Sequence, residues 1–242
     1  MYRYLCTVSY DGSNYAGFQR QINAVGIQNE IEKALKNMTM REVTIHAAGR
    51  TDRGVHALGQ VFHFDLDFKI EDFGAWLKGI NKRLPDDIIL KKIKIVNNNF
   101  HARHNAKGRV YEYRIAKKES NILKQRYEVY VENFDVNLVK DILDDFIGIR
   151  DYSGFSKLAK EKSPIKILYS IELKETKDQY IFIFHGESFL RNMVRAIMGL
   201  IIEIGTKKKN REIIKEVFAT KNRQLAGKTA EAKGLFFKKV IY

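Results

Sequence analysis

The sequence predicts an α/β fold of the α+β kind, made of two similar halves. Three observations lead there. Segments that alternate apolar and polar residues, the mark of strands, recur in both halves of the chain. Each half also carries at least two stretches with apolar residues at helical spacing. Between them NNNFHARHNAKG, residues 97–108, breaks all regularity. The boundary is placed there, giving halves at residues 1–104 and 105–242. No residue-by-residue repeat is visible, so the duplication rests on the pattern of elements alone.

In order, Tyr2, Tyr4, Cys6, Val8 and Tyr10 share one face of a first strand. DGSNYAGFQRQ follows as a glycine-punctuated loop. Ile27, Ile31, Ala34, Leu35 and Met38 mark a helix. Residues 43–47 read as a strand, and so do residues 60–68, with Phe62, Phe64, Leu66 and Phe68 on one face. Phe73, Trp76, Leu77, Ile80 and Leu84 form a second helical stripe that Pro85 ends, and Trp76 on that stripe is a core residue. Residues 89–96 and 109–115 are further strands. In the second half, Val139, Ile142, Leu143 and Phe146 mark a helix, and RDYSGFSK a loop. Ile165 to Leu173 and QYIFIFHG form two strands able to pair as a hairpin. SFLRNMVRAIMGLIIEIG is the most apolar helix, residues 210–218 a shorter one, and LFFKKVIY a closing strand.

The stretch AGRTDRGVHALG, residues 48–59, joins two of these strands and concentrates the chemistry. Asp52 stands between Arg50 and Arg53, with His56 close behind, and the flanking cations favour an ionised carboxylate. Three glycines permit tight bends or the close approach of a ligand. Taken alone, such a loop is a solvated surface turn; its company along the chain is what gives it weight.

A net charge of +14 on 242 residues points to a polyanionic partner, nucleic acid before membrane. The 45 % hydrophobic content excludes the disordered class. The single cysteine, Cys6, suits a reducing compartment, no apolar run is long enough to span a bilayer, and the N-terminus lacks a signal-peptide core. A cytoplasmic protein is expected. From Arg103 to Arg126 there are eight Lys or Arg against two Glu, interleaved with Tyr111, Tyr113 and Tyr127. Cations suit phosphates and flat rings suit unstacked bases, although an exposed strand edge kept soluble by lysines would look the same. Arg191 and Arg195, four residues apart in the apolar helix, are expected on one face, where a buried cation needs an anionic partner such as Asp52.

Other chemistries fare poorly. The six histidines include one HxxH, at His101 and His104, without matching cysteines or a clear third ligand, so no metal is expected. There is no phosphate-binding loop of the GxxxxGK type, no GxGxxG after a strand and no GxSxG elbow.

With these segments on the page, the chain resembles the tRNA pseudouridine synthase A family along nearly its full length. The resemblance is carried by YDGSNYAGFQRQ (10–21), AAGRTDRGVHALGQV (47–61), INKRLPDDI (80–88), FHARHNAKGRVYEYRI (100–115), DYSGFS (151–156), SFLRNMVRAIMG (188–199) and AKGLFFKKVIY (232–242). Seven such segments in order are specific where one would be weak. The resemblance implies two α/β halves around a continuous, mostly antiparallel sheet with helices on one side. It further implies a basic cleft, a homodimer that binds the anticodon stem-loop of tRNA, isomerisation of uridines 38, 39 and 40, and no cofactor or metal. By the same resemblance Asp52 is the catalytic aspartate, Tyr111 stacks on the target base, Arg195 pairs with the aspartate and Arg50 helps to extrude the nucleotide. Arg53, His56 and Arg109 join Arg50 and Tyr111 as candidate substrate-binding residues. Lys166 stands where an arginine is expected, and TAEAKGL (229–235) lacks a proline common there. Two rival readings stay open: a paralogue acting on another RNA such as ribosomal RNA, and a catalytically silent RNA-binding or remodelling protein. An acid amid a phosphate-binding surface argues against the silent one.

Overall fold

Alternation along the first ten residues becomes strand β1 (Tyr2–Tyr10) in the computed structural model, which describes residues 1–119, 122–157 and 163–242. The chain divides into two units, residues 1–107 with 236–242, and residues 108–235. Mixed α/β structure with mostly antiparallel strands characterises both.

In the first unit β1 is flanked by β3 (His56–Leu66) and β4 (Ile88–Val96), both antiparallel to it. The closing strand β10 (Leu235–Ile241) runs parallel to β3, pairing Phe236 with His56 and Phe237 with Ala57. The sequence-based division put that strand with the second half. Its ladder with β3 gathers residues 236–242 into the first unit instead. Helices α1 (Ile27–Thr39) and α2 (Phe73–Asn81) supply apolar faces. Trp76 of α2 stacks on Phe64 of β3 with ring centroids 5.8 Å apart, and Tyr4 of β1 meets Phe73 edge-on. Burying a side chain of this size is worth roughly 1.5–3 kcal/mol. Leu5, Ala48, Val61 and Ala102 form a separate small cluster, packed by Val96, Phe100 and Val240.

Two expected elements are shorter than their apolar patterns. Of the strand expected at 43–47 only β2 (His46–Ala47) forms. The Ile45 N–H is taken by the Glu32 carboxylate of α1 at 3.1 Å, so it is lost to a ladder. Helix α2 is capped by Asp72, whose Oδ1 accepts from Gly74 and Ala75, and it stops before Leu84. There the Asn81 side chain bonds both N–H and C=O of Leu90, pinning the helix end to β4.

In the second unit β5 (Gly108–Ala116), β9 (Gln179–Gly186), β8 (Ile165–Glu175) and β7 (Gly148–Asp151) lie in that order, each antiparallel to the next. The short β6 (Val129–Tyr130) runs parallel to β5. The hairpin expected of Ile165 to Leu173 and QYIFIFHG is thus present as β8–β9. The apolar stretch 139–146 is not one helix. It divides into α3 (Asn137–Lys140) and a 3-10 turn at Leu143–Phe146, which still bury Val139, Leu143 and Phe146. Helix α4 (Met193–Gly205) is apolar nearly all round, as a buried helix must be. α5 (Glu212–Thr220) follows it. Among the described residues no helix is long and apolar enough to cross a membrane.

Candidate active site

Asp52 belongs to the first unit, whereas Tyr111, Arg109 and Arg195 belong to the second. In the first unit Asp52 is half-buried on the loop between β2 and β3, between the exposed Arg50 and Arg53. Its carbonyl accepts from the Val55 N–H at 3.1 Å, closing a tight turn before β3 begins at His56.

The loop after β1 moulds this turn from outside. The Phe18 N–H donates to the Thr51 carbonyl at 3.1 Å. Gly17 has φ +103, which other residues rarely adopt, and a Cβ there would lie 2.6 Å from the Thr51 oxygen and 3.3 Å from the Asp52 carbonyl carbon. By sequence this stretch is a glycine-punctuated surface loop whose polar and aromatic mix suits contact with RNA, with nothing to show that it shapes the Asp52 turn. Its signal was the glycine, which only becomes specific once the neighbouring backbone is known.

His56 is 1 % exposed and turns inward, away from the RNA contact expected of it. Its ring stacks on Phe236 at 4.8 Å, and its Nδ1 is 3.0 Å from Asp11 Oδ1. The Gly12 N–H also points at that nitrogen, at 3.2 Å, so the two contacts compete for one atom. The shorter contact to a carboxylate favours a proton on Nδ1, donated to Asp11. His56 therefore ties the start of β3 to the end of β1.

In the second unit Arg109, Tyr111 and Tyr113 share one face of β5, by the two-residue period of a strand. Tyr111 is 8 % exposed, and its ring meets Phe189 edge-to-face at 5.1 Å. Arg109 is also buried and donates to the Glu187 carbonyl at 2.7 Å.

The Arg191–Arg195 pair expected on one helical face does not exist as such. Asn192 takes a left-handed φ of 62° and caps α4, so Arg191 lies outside the helix and only Arg195 lies within it. Arg195 Nε donates to the Ala230 carbonyl at 2.8 Å, while the Ala230 N–H donates back to the Arg195 carbonyl at 3.0 Å. One turn on, Gly199 lets the backbone of Lys228 approach, since a Cβ there would lie 1.8 Å from the Lys228 oxygen. A further turn on, Glu203 accepts from the Lys228 N–H at 3.0 Å. Positions 195, 199 and 203 recur every four residues, so one face of α4 grips the segment 228–230. That grip fixes where the Arg195 guanidinium stands. Burial pushes the Tyr113 phenol well above its ordinary pKa, Glu231 adds to this, and the nearby Arg195 opposes it. Tyr113 donates to the Glu231 carbonyl at 3.0 Å and Arg195 to that of the adjacent Ala230, so Arg195 stands on the Tyr113 side of β5, the face that also carries Tyr111.

Among the described residues no group of three His, Cys, Asp or Glu is placed to hold a metal ion.

Comparison with known proteins matches residues 7–105 and 142–242 to a family model described as tRNA pseudouridine synthase. A tRNA pseudouridine synthase A of Phytoplasma mali is 39 % identical over 242 residues, covering 100 % of this chain and 99 % of that one. A tRNA pseudouridine synthase A 1 of Bacillus cereus is 39 % identical over 246 residues, with the same coverage. A tRNA pseudouridine synthase A of Oceanobacillus iheyensis is 40 % identical over 247 residues, covering 100 % of this chain and 97 % of its own.

Proposed function

Because the chain belongs to the tRNA pseudouridine synthase family, an isomerase family, we propose that it converts uridines 38, 39 and 40 of the tRNA anticodon stem-loop to pseudouridine, with Asp52 as nucleophile. The reaction is an isomerisation. The bond from ribose C1′ to uracil N1 breaks, a bond from C1′ to C5 forms, C5 gives up its proton and N1 gains one. No atom enters and nothing is oxidised.

The observation that carries this reading is the full-length match to curated synthases, together with a half-buried carboxylate on a loop fixed at both ends. A carboxylate beside the ribose can form a covalent intermediate at C1′, which splits a hard step into two easier ones. Tyr111 covers the uracil face, a stacking contact worth roughly 1–3 kcal/mol. Arg195, held by Ala230, is the arginine that this reading pairs with the catalytic aspartate, supplying positive charge to the reaction. The target base must leave its stack to be reached, and Arg50, exposed beside Asp52, fills the gap. Arg53 and Arg109 contact the RNA, Arg109 from the same face of β5 as Tyr111, while His56, 1 % exposed, supports the loop. The lysine and arginine surplus holds the backbone of tRNA, and the protein works as a cytoplasmic homodimer.

The test is incubation with unmodified tRNA, followed by mapping of pseudouridine at nucleotide resolution. Product at positions 38, 39 and 40 is expected from the native chain and none from Asp52→Asn, which should still bind tRNA. Product elsewhere, or in ribosomal RNA alone, overturns the substrate. Near-native turnover by Asp52→Asn overturns the nucleophile.

A further inference from the structure

Beneath the Asp52 loop lies a chain of buried polar groups that none of the chemical steps above uses. Tyr10 ends β1, Gln60 sits within β3, and Thr51 immediately precedes Asp52. They are 4 %, 0 % and 8 % exposed. The Tyr10 hydroxyl is 2.8 Å from Thr51 Oγ1, and the Gln60 side chain is near enough to oppose the rise that burial gives the phenol pKa. Gln60 Nε2 donates to the Gly49 carbonyl at 3.0 Å, and its Oε1 accepts from the Val61 N–H at 2.9 Å. The network thus holds Gly49 and Thr51, the residues on either side of Arg50, and Thr51 is bonded directly to Asp52. Among the described residues no buried side-chain polar atom lacks a partner.

Such a network is a costly way to fill space. A neutral hydrogen bond adds only about 1 kcal/mol net, and a lost partner costs 1–3 kcal/mol. Its distinctive property is direction: fully satisfied polar networks rigidify the backbone they touch, which apolar packing does less sharply. Catalytic groups need that rigidity, because misplacement by about 1 Å can cost 10²-fold in rate.

We propose that Tyr10, Gln60 and Thr51 are positioning residues that set the Asp52 carboxylate, acting on catalysis through the loop backbone without touching substrate. The proposal rests on the reading of Asp52 as the catalytic acid. Burial raises the Tyr10 phenol far above its ordinary pKa, so the hydroxyl keeps its proton throughout the working range.

The experiment uses the full chain, unmodified tRNA transcript, steady-state kinetics and thermal unfolding, with Tyr10→Phe, Thr51→Val, Thr51→Ser, the double variant Tyr10→Phe/Thr51→Val, and Asp52→Asn. Tyr10→Phe and Thr51→Val are each expected to lower kcat by at least about tenfold, with KM within about twofold, since near-neutral packing is kept and only direction is lost. Thr51→Ser, which retains the hydroxyl, should restore most of the rate. The double variant should be no slower than the slower single, because both cut the same link. Unchanged kcat with a lowered melting temperature, raised KM at constant kcat, or losses that multiply in the double variant would each overturn the proposal. Active Asp52→Asn strikes the underlying reading, whereas inactive Asp52→Asn beside a full-speed Tyr10→Phe strikes this inference alone.

Discussion

Arg195 and Tyr113 donate to neighbouring carbonyl oxygens, those of Ala230 and Glu231, at 2.8 and 3.0 Å. One comes from α4 and the other from β5, so a single stretch of chain is the common anchor for helix and strand. Arg195→Ala removes a charge-assisted bond and leaves the Ala230 oxygen short of a donor. The expected loss is about 1.5–3 kcal/mol of stability by urea unfolding, together with loss of pseudouridine formation. Tyr113→Phe, by contrast, should cost about 1 kcal/mol and spare most activity. A stable, active Arg195→Ala would remove that arginine from the chemistry.

Tyr111 has two separable parts, a ring and a hydroxyl. Tyr111→Phe keeps the ring and its edge contact with Phe189. If the hydroxyl assists removal of the C5 proton, kcat should fall by about 10² with tRNA affinity unchanged, as for loss of a general base. Rapid-quench turnover and filter binding decide this, and an unaltered kcat would confine Tyr111 to stacking.

Gly17→Ala tests the mould around the turn. A methyl group at this φ of +103, 2.6 Å from the Thr51 oxygen, cannot be placed without moving the Asp52 backbone. Lost stability of about 1–3 kcal/mol and a kcat reduced by at least tenfold are expected. Equal kcat in the folded variant would show that the loop tolerates displacement.

Acid should weaken the first unit. His63 is 2 % exposed, and its Nδ1 accepts the Ala102 N–H at 3.2 Å. Burial, then the His101, Arg3 and His46 charges, push its pKa down to about 4, with Asp65 opposing. His101 is lowered too, by burial and by the surrounding His104, His46, Arg3 and Arg103. The folded protein thus binds these protons later than the unfolded chain does. Their contribution is intact above about pH 6.5 and is lost as the pH falls through that value toward 4, roughly 3 kcal/mol for His63. His63→Asn keeps an acceptor without the titration, so urea unfolding at stepped pH should show a shallower decline. Parallel declines in both proteins would remove His63 as the cause.

What could be read in advance followed from local rules. Tyr2–Tyr10 is a strand because its own alternation says so, and the Ile27, Ile31, Ala34 and Leu35 stripe is buried because its spacing allows one face only. Motif order carried the resemblance to the synthase family that the comparisons show. What could not be read depends on distant partners. Nothing in SFLRNMVRAIMG says that Asn192 turns left-handed and ejects Arg191 from the helix. Nothing in VTIHA says that Glu32 will claim the Ile45 amide. His56 looked like an RNA ligand because its burial between Asp11 and Phe236 requires residues 45 positions before it and 180 after it.

The placement of β10 also bears on synthesis. Its residues 236–242 complete a sheet begun by Tyr2–Tyr10, yet the ribosome makes all of 108–235 in between. β2 already pairs β3 at Phe62 and His63, but at about 5–20 residues per second the nascent first unit waits on the order of ten seconds with the flank of β3 at His56 and Ala57 lacking its β10 partner. During translation that bare flank is where a chaperone would find purchase, and where two nascent chains on one messenger would first adhere.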